Sequence, residues 1–416
     1  MQKSDSFNLW PTSHKASRAE GSVAEWLKAP LSKSGIGETL SEVRILPLPP
    51  MIILGIETSC DETAVSIVEA KGGLENLHFK VLGSAVNSQI EMHREWGGVV
   101  PNIAKREHQK NLPIVLEEAL KIATIDLSKI DLITVTVGPG LEPALWTGIK
   151  FAEELGQKQN IPVIGANHME GHIASVLFSE NQQAKNLHFP ILALLISGGH
   201  TELIYLKNWI EKEKIGETKD DAVGEAFDKV ARMLGLPYPG GPEISRLAED
   251  ARLKDIHLET KFPRPMLHSG DLNFSFSGLK TSVLYYLRNL TSPPSPLPLS
   301  RGGGEENKSS LGGEVCMAIA REFEDAVIET LLTKTKKAID QYDPKTLIIG
   351  GGVIANKALR ENFLKLKERY SNLNILIPEK SLTTDNATMI VAAGYIDYLR
   401  NNKKGELKAQ GNLGIS

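Results

Sequence analysis

"MIILGIETSCDETAVSIVEA", residues 51–70, and "FPILALLISGGHTELIYLKN", residues 189–208, share one design. Each runs an apolar strand into a short turn of small polar residues and then into a second strand. A turn rich in Gly, Ser and Thr leaves backbone amides free to face an anion. Each hairpin opens a stretch in which strand and helix patterns alternate. Two of them in one chain predict a duplicated α/β unit whose halves face each other across a cleft. Further strands are predicted at 132–138, 162–167, 346–351 and 374–378. Helices are predicted at 111–123, 144–157, 224–234, 314–339, 356–369 and 386–400. The alternation favours a mostly parallel sheet in each lobe.

The chain has 416 residues, of which 41 % are apolar, enough for two or three ordinary domains with sizeable cores. Its net charge of −4 announces no polyanion partner, although a local basic patch binds nucleic acid whatever the total. Two cysteines, Cys60 and Cys316, fit a reducing compartment rather than a disulfide framework. No apolar run is long enough to span a membrane, and residues 1–20 lack the apolar core of a secretory signal. A cytoplasmic protein is the expectation.

Chemistry-bearing residues cluster in a few motifs. "ANHMEGHIAS" (166–175) places His168 and His172 four apart, on one face of a helix that Asn167 is expected to cap. The zinc-protease pattern needs Glu directly after the first His, and Met169 stands there instead. Two imidazoles leave a coordination sphere open, and a carboxylate would complete a two-His, one-carboxylate set. Asp385 in "TTDNATM" qualifies, although the motif by itself favours an ordinary helix N-cap. "LLISGGHTE" (194–202) lets backbone approach a ligand at Gly198 and Gly199, or is a simple turn. The first hairpin turn adds Ser59, Asp61 and Glu62. In "DAVGEAFDKVARMLGLPYPGGPEIS" (221–245), Asp228 lies on a helix before a Pro-Gly loop and is a candidate for ribose hydroxyls. "LIIGGGVIANKALR" (347–360) is a strand-to-helix junction with room for an adenine ring, without dinucleotide or P-loop spacing. Lys280 in "SFSGLKTSV" is a candidate for phosphate or RNA.

Taken in order, GIETSCDET, GPGL, HMEGH, SGGHT, GEAFDK, YPGGP, FSFSGLKT, GGGVIANKALR and TDNATM closely resemble the bacterial TsaD family of tRNA adenosine threonylcarbamoyltransferases. The resemblance covers nearly all of residues 51–400. It implies the two-lobed fold of the actin, sugar-kinase and heat-shock ATPase superfamily. It implies one divalent metal, iron with zinc as the alternative, on His168, His172 and Asp385. It implies a nucleotide site at Leu195, Ile196, Ser197, Gly198, Gly199, Asp228, Gly241 and Asn356. The implied reaction moves the threonylcarbamoyl group from threonylcarbamoyl-adenylate to the exocyclic amine of the adenosine beside the anticodon, in tRNAs reading codons that start with A. Asp61, or its neighbour Glu62, is the expected proton acceptor. An inactive paralogue and a small ATPase are the implied companion proteins. A small-molecule kinase of the same superfamily, a metalloprotease and a non-enzymatic nucleotide-dependent scaffold are the alternatives.

The expected domain plan is an N-terminal extension over 1–50 and a first lobe over 51–188 carrying the histidines. A second lobe follows over 189–384, and residues 385–416 bring a C-terminal helix back to the first lobe. Residues 291–313, rich in Pro and Gly, read as a disordered insertion between helices. Residues 1–50 lack any sustained period, and their "VRILP" is what one frame of a tRNA T-arm encodes. They read as translated non-coding sequence ahead of a true start at Met51. A chain begun at Met51 is therefore expected to melt at the same temperature as the full chain; a large drop in calorimetry would show that the extension packs.

Overall fold

The computed structural model describes residues 49–178, 187–291, 312–401 and 407–415. The expected disorder of 1–50 and 291–313 falls almost wholly outside the described residues.

The first sheet contains β1 (Met51–Glu57), β2 (Glu62–Lys71), β3 (His78–Ser88), β4 (Leu132–Gly138) and β5 (Val163–Asn167), in the order β3-β2-β1-β4-β5. The second contains β6 (Ile191–Ile196), β7 (Thr201–Leu206), β8 (Lys212–Glu217), β9 (Thr346–Gly350) and β10 (Asn374–Leu376), in the order β8-β7-β6-β9-β10. In each sheet the first three strands pair antiparallel, and the two later strands add parallel on the other side of the first. Order and sense are the same, so the duplication suggested by the two hairpins is a duplication of whole sheets. Strands β1 and β6 sit at the centres, covered on both faces, which is why their sequences are near-continuous apolar runs. Strands β3 and β8 are edges that mix polar with apolar residues and are only partly buried, and the apolar pattern did not reveal them.

After the short α1 (Ile90–Arg94), the first sheet is backed by α2 (Pro101–Ala123) and α3 (Glu142–Gln159), whose apolar faces close one core with Leu54, Ile56, Val65 and Val135. Helix α2 begins ten residues before its expected start, with Pro101 in the first turn, where a missing N–H costs nothing. The second sheet is backed by α5 (Val223–Met233), α6 (Gly240–Leu253), α7 (Ser277–Thr291) and α8 (Gly313–Tyr342). Helix α6 starts directly at the Gly-Gly-Pro expected to form loop. The single helix expected at 356–369 is two, α9 (Lys357–Leu364) and α10 (Leu366–Arg369).

Two helices fill the layer between the sheets. The short α4 (His168–Ala174) and α11 (Ala387–Asn401) share an apolar cluster with strands of the second sheet, including Met169, Ile173, Ile191, Leu195, Ile348 and Ala392. Val391 and Tyr395 of α11 also bury Ile53, Val68 and Leu132 of the first. Among the described residues no helix is long and apolar enough to cross a membrane.

Helix α11 lies directly on β1. A Cβ at Gly55 would overlap the Ala387 carbonyl and the Val391 side chain. Gly55→Ala is therefore expected to lift the start of α11 and destabilise the protein by about 1–3 kcal/mol, read by urea unfolding.

Candidate functional site

Strand β5 ends at Asn167, whose Oδ1 accepts from the N–H groups of Met169 (2.8 Å) and Glu170 (3.2 Å), forming the predicted cap of α4. The i, i+4 spacing then turns His168 and His172 to one side, ring centroids 4.7 Å apart and nearly perpendicular. Gly171 lets the start of α11 come close, since a Cβ there would press Met389 at 3.0 Å. That approach delivers Asp385, whose Oδ1 lies 3.3 Å from His168 Nε2 and 3.4 Å from His172 Nε2. One donor atom from each of the three lies within 4.8 Å of the others, an arrangement able to hold a metal ion. The capping alternative for Asp385 falls to its neighbour: Asn386 Oδ1 accepts from Met389 N–H at 3.0 Å.

The donor set fits a divalent cation on its own chemistry. His172 is fully buried and neither ring nitrogen has a hydrogen-bond partner among the described residues, its approach to Asp385 being out of alignment for one. An unsatisfied buried imidazole is costly unless something accepts its lone pair. Burial keeps His172 below the usual imidazole range. Burial also opposes charge on Asp385, but His168 and His172 hold its carboxyl well below the usual carboxylate range. The side chain of Asp385 keeps 22 % of its surface open, so the group is not sealed.

A residue that sequence reading passed over completes this arrangement. Glu57, at the end of β1 and fully buried, places Oε2 3.0 Å from His168 Nδ1. Its carboxylate also accepts from Thr136 Oγ1 (2.6 Å) and Ser59 N–H (2.5 Å). Burial would raise its pKa, but the His168 imidazole outweighs that and holds it low. His168 is opposed by burial as well, yet Asp385 and Glu57 raise it well above its ordinary range. A carboxylate behind a histidine fixes the ring's orientation and tautomer, which is what a ligating imidazole needs.

The first hairpin turn is braced from behind. His108 on α2 meets the Cys60 carbonyl (3.1 Å) and the Thr63 hydroxyl (2.8 Å), and Gln89 N–H donates to the Asp61 carbonyl at 2.9 Å. Asp61 is 6 % exposed. Burial, then the charges of Asp385 and Asp61, push Glu62 up to about 10, so it is protonated at neutral pH. A cation beside Asp385 would offset part of that rise. Burial and Asp61 also push the Cys60 thiol up, so no reactive thiolate stands in the turn.

The second hairpin turn faces the same region. Open space surrounds Gly198, Gly199 and Gly241, where an added Cβ would touch nothing within 4 Å. Leu195 and Ile196 are fully buried in β6, and Ser197 starts the turn, its N–H donating to the His200 carbonyl at 2.9 Å. The start of α5 abuts this turn, with Gly224 N–H 3.2 Å from the Ser197 carbonyl. His200 is held neutral, down to about 4, by burial and by the two site histidines. Asp228 Oδ1 accepts from Gly240 N–H at 2.7 Å and so holds the Pro-Gly loop at the head of α6. The Asn356 side chain caps α9 at Leu359 N–H (2.9 Å) and donates to Glu324 (2.5 Å) and Ser245 (3.1 Å). Lys280, considered for phosphate or RNA, instead forms an ion pair with Asp221 at 2.7 Å.

Comparison with known proteins decides the family. The family described as "TsaD: tRNA N6-adenosine threonylcarbamoyltransferase" matches residues 80–392. A tRNA N6-adenosine threonylcarbamoyltransferase of Thermosipho africanus is 44 % identical over 366 residues, covering 88 % of this chain and all of that protein. The chain belongs to the TsaD family. Another relative of the same name, from Bacillus thuringiensis, is 44 % identical over 88 % of this chain and 96 % of its own length. Among solved structures, HypF of T. kodakarensis superposes with a TM-score of 0.54 at 14 % identity over 87 % of this chain, a likeness of fold alone. The chain spans about half of that protein, 50 % of its length. This likeness and the two matching sheets place the TsaD chain in the two-lobed actin and sugar-kinase-like class. The family match does not favour the kinase alternative.

Asp385→Asn separates a ligand from a structural residue. It keeps the side-chain volume and leaves the Asn386 cap intact. The variant is expected to melt like wild type but to purify with little of the wild-type metal content by plasma mass spectrometry. A metal-replete Asp385→Asn protein would remove Asp385 from the site.

Proposed function

We propose that this chain transfers the threonylcarbamoyl group from threonylcarbamoyl-adenylate to N6 of the adenosine beside the anticodon, in tRNAs that read codons starting with A. The observation that carries the reading is the meeting of His168, His172 and Asp385 between two duplicated sheets, in a chain 44 % identical to a named transferase along that protein's full length. The three residues would hold iron, with zinc as the alternative. When bound, the ion supplies Lewis-acid polarisation and a template for oxygen ligands.

The chain's own residues account for the rest. The turn from Leu195 to Gly199 would receive the adenylate phosphate, with the backbone amides of Gly198 and Gly199 offered to the anion in open space. Gly241 leaves the nucleotide room, and Asp228 shapes that wall by fixing the Gly240 turn while offering its second oxygen to the ribose. Asn356 supports the adenine end through its cap rather than by a free amide. The adenine amine attacks the activated carbonyl carbon; a C–N bond forms, the C–O bond to phosphate breaks, and AMP leaves. The amine proton must go to a base. Asp61, buried on the first hairpin turn, is the proposed acceptor, with its neighbour Glu62 as the alternative.

In this reading the lobes run over 51–188 and 189–384, and residues 385–416 belong with the first. An inactive paralogue and a small ATPase are the companion proteins, and the compartment is the cytoplasm.

Labelled threonine, a purified adenylate-forming synthase and unmodified tRNA should together give labelled tRNA only when this chain is added, with the proposed companions supplied. No transfer with all components present would overturn the reading. Asp61→Asn is expected to slow transfer by roughly 10²–10⁴-fold at unchanged metal content. Asp228→Ala should cost about 1–2 kcal/mol of stability and weaken adenylate binding, with metal retained; equal losses of metal and nucleotide would make its role structural.

A further inference from the structure

Residues 407–415 carry none of the motifs, yet they touch both supports of His168. Gln410 N–H donates to the Val137 carbonyl at 2.8 Å, and the Gly411 carbonyl accepts from Gly140 N–H at 3.0 Å. The Gly414 carbonyl accepts from Asn167 Nδ2 at 3.0 Å. Ala409 is 5 % exposed and belongs to the apolar core of the first sheet. No side chain fits at Gly138, because a Cβ there would overlap the Gln410 carbonyl and press on Leu413.

The bonds at Gly140 and Asn167 lead onward to the histidine helix by separate routes. Gly140 belongs to the loop after β4, where Leu141 N–H donates to the Ser59 carbonyl at 2.8 Å. The Ser59 hydroxyl lies 3.2 Å from His168 Nδ1. Asn167 is the residue before His168, and its amide works in two directions. Oδ1 caps α4, and Nδ2 is tied to Gly414. A helix of seven residues has little intrinsic stability, so its orientation depends on such ties.

We propose that residues 407–415 are a positioning strap for the metal centre, fixing the orientation of His168 through Asn167 on one side and the Gly140–Ser59 contact on the other. The inference rests on the metal reading of His168, His172 and Asp385. It assigns Asn167 and Gly414 a role in metal affinity beyond capping and packing.

Co(II) is the probe, because its visible absorption reports coordination geometry and a chelator competition gives its affinity. Asn167→Asp and the charge-neutral Asn167→Ser both retain a good N-cap and both lose the donor to Gly414. A chain stopped after residue 406 loses the strap itself. Each variant is expected to bind Co(II) at least about 10-fold more weakly than wild type, with altered visible bands. Stopping the Asn167→Asp chain at 406 should weaken binding by less than the product of the two single effects, since both cut the same tie. Wild-type affinity and spectrum in both Asn167 variants would overturn the strap, even if the shortened chain failed to fold. A wild-type chain that takes up no Co(II) would overturn the metal reading and this inference with it.

Discussion

The arrangement depends on bringing one carboxylate against two imidazoles in the layer between the sheets. Asp385 stands far from His168 and His172 in sequence, and only the docking of α11 onto β1 puts them 3.3 and 3.4 Å apart. That docking needs glycine at 55, where any side chain would hold the helix away. It also needs α4 to lie beside α11, which Gly171 permits. Desolvating these three side chains is unfavourable unless charge and hydrogen bonds compensate, and Glu57 supplies part of the compensation from behind. The fold is thus organised around a polar group that its apolar layers could not tolerate alone.

The two hairpins divide the work. The first turn carries acidic side chains, Asp61 and Glu62, on a backbone braced by His108 and Gln89. The second carries glycines whose surroundings are open and whose neighbour is the start of a helix. One turn presents side-chain chemistry and the other presents backbone. Duplication of a single unit supplied both, and the differences lie in a few turn residues.

Much of this was legible in the sequence, for a physical reason. Central strands such as β1 and β6 are covered on both faces, so they appear as unbroken apolar runs. The His168–His172 spacing and the Asn167 cap are local, and local geometry follows from spacing. The edge strands β3 and β8 were not visible because, only partly buried, they mix polar with apolar residues and carry no unbroken apolar run. Helix α6 was hidden by Gly240, Gly241 and Pro242, which read as loop although Asp228 holds the first turn from another helix. Asp385 read as a helix cap until Asn386 was seen to be the acceptor for Met389 N–H. Glu57 looked like the polar end of a strand, and nothing local reveals a partner 111 residues away. Residues 407–415 act mainly through backbone atoms, which every residue type offers alike.

The separation of Asp385 from the histidines also sets an order in time. During synthesis the histidine pair leaves the ribosome long before residue 385 is made. The first sheet can close without it, since β1 to β5 are all complete by Asn167. The three-residue group cannot. Until α11 emerges and docks, any passing cation meets two imidazoles without the Asp385 carboxylate. Completion of the group therefore waits on synthesis past α11, and a chain terminated before residue 385 is kept from assembling the full set.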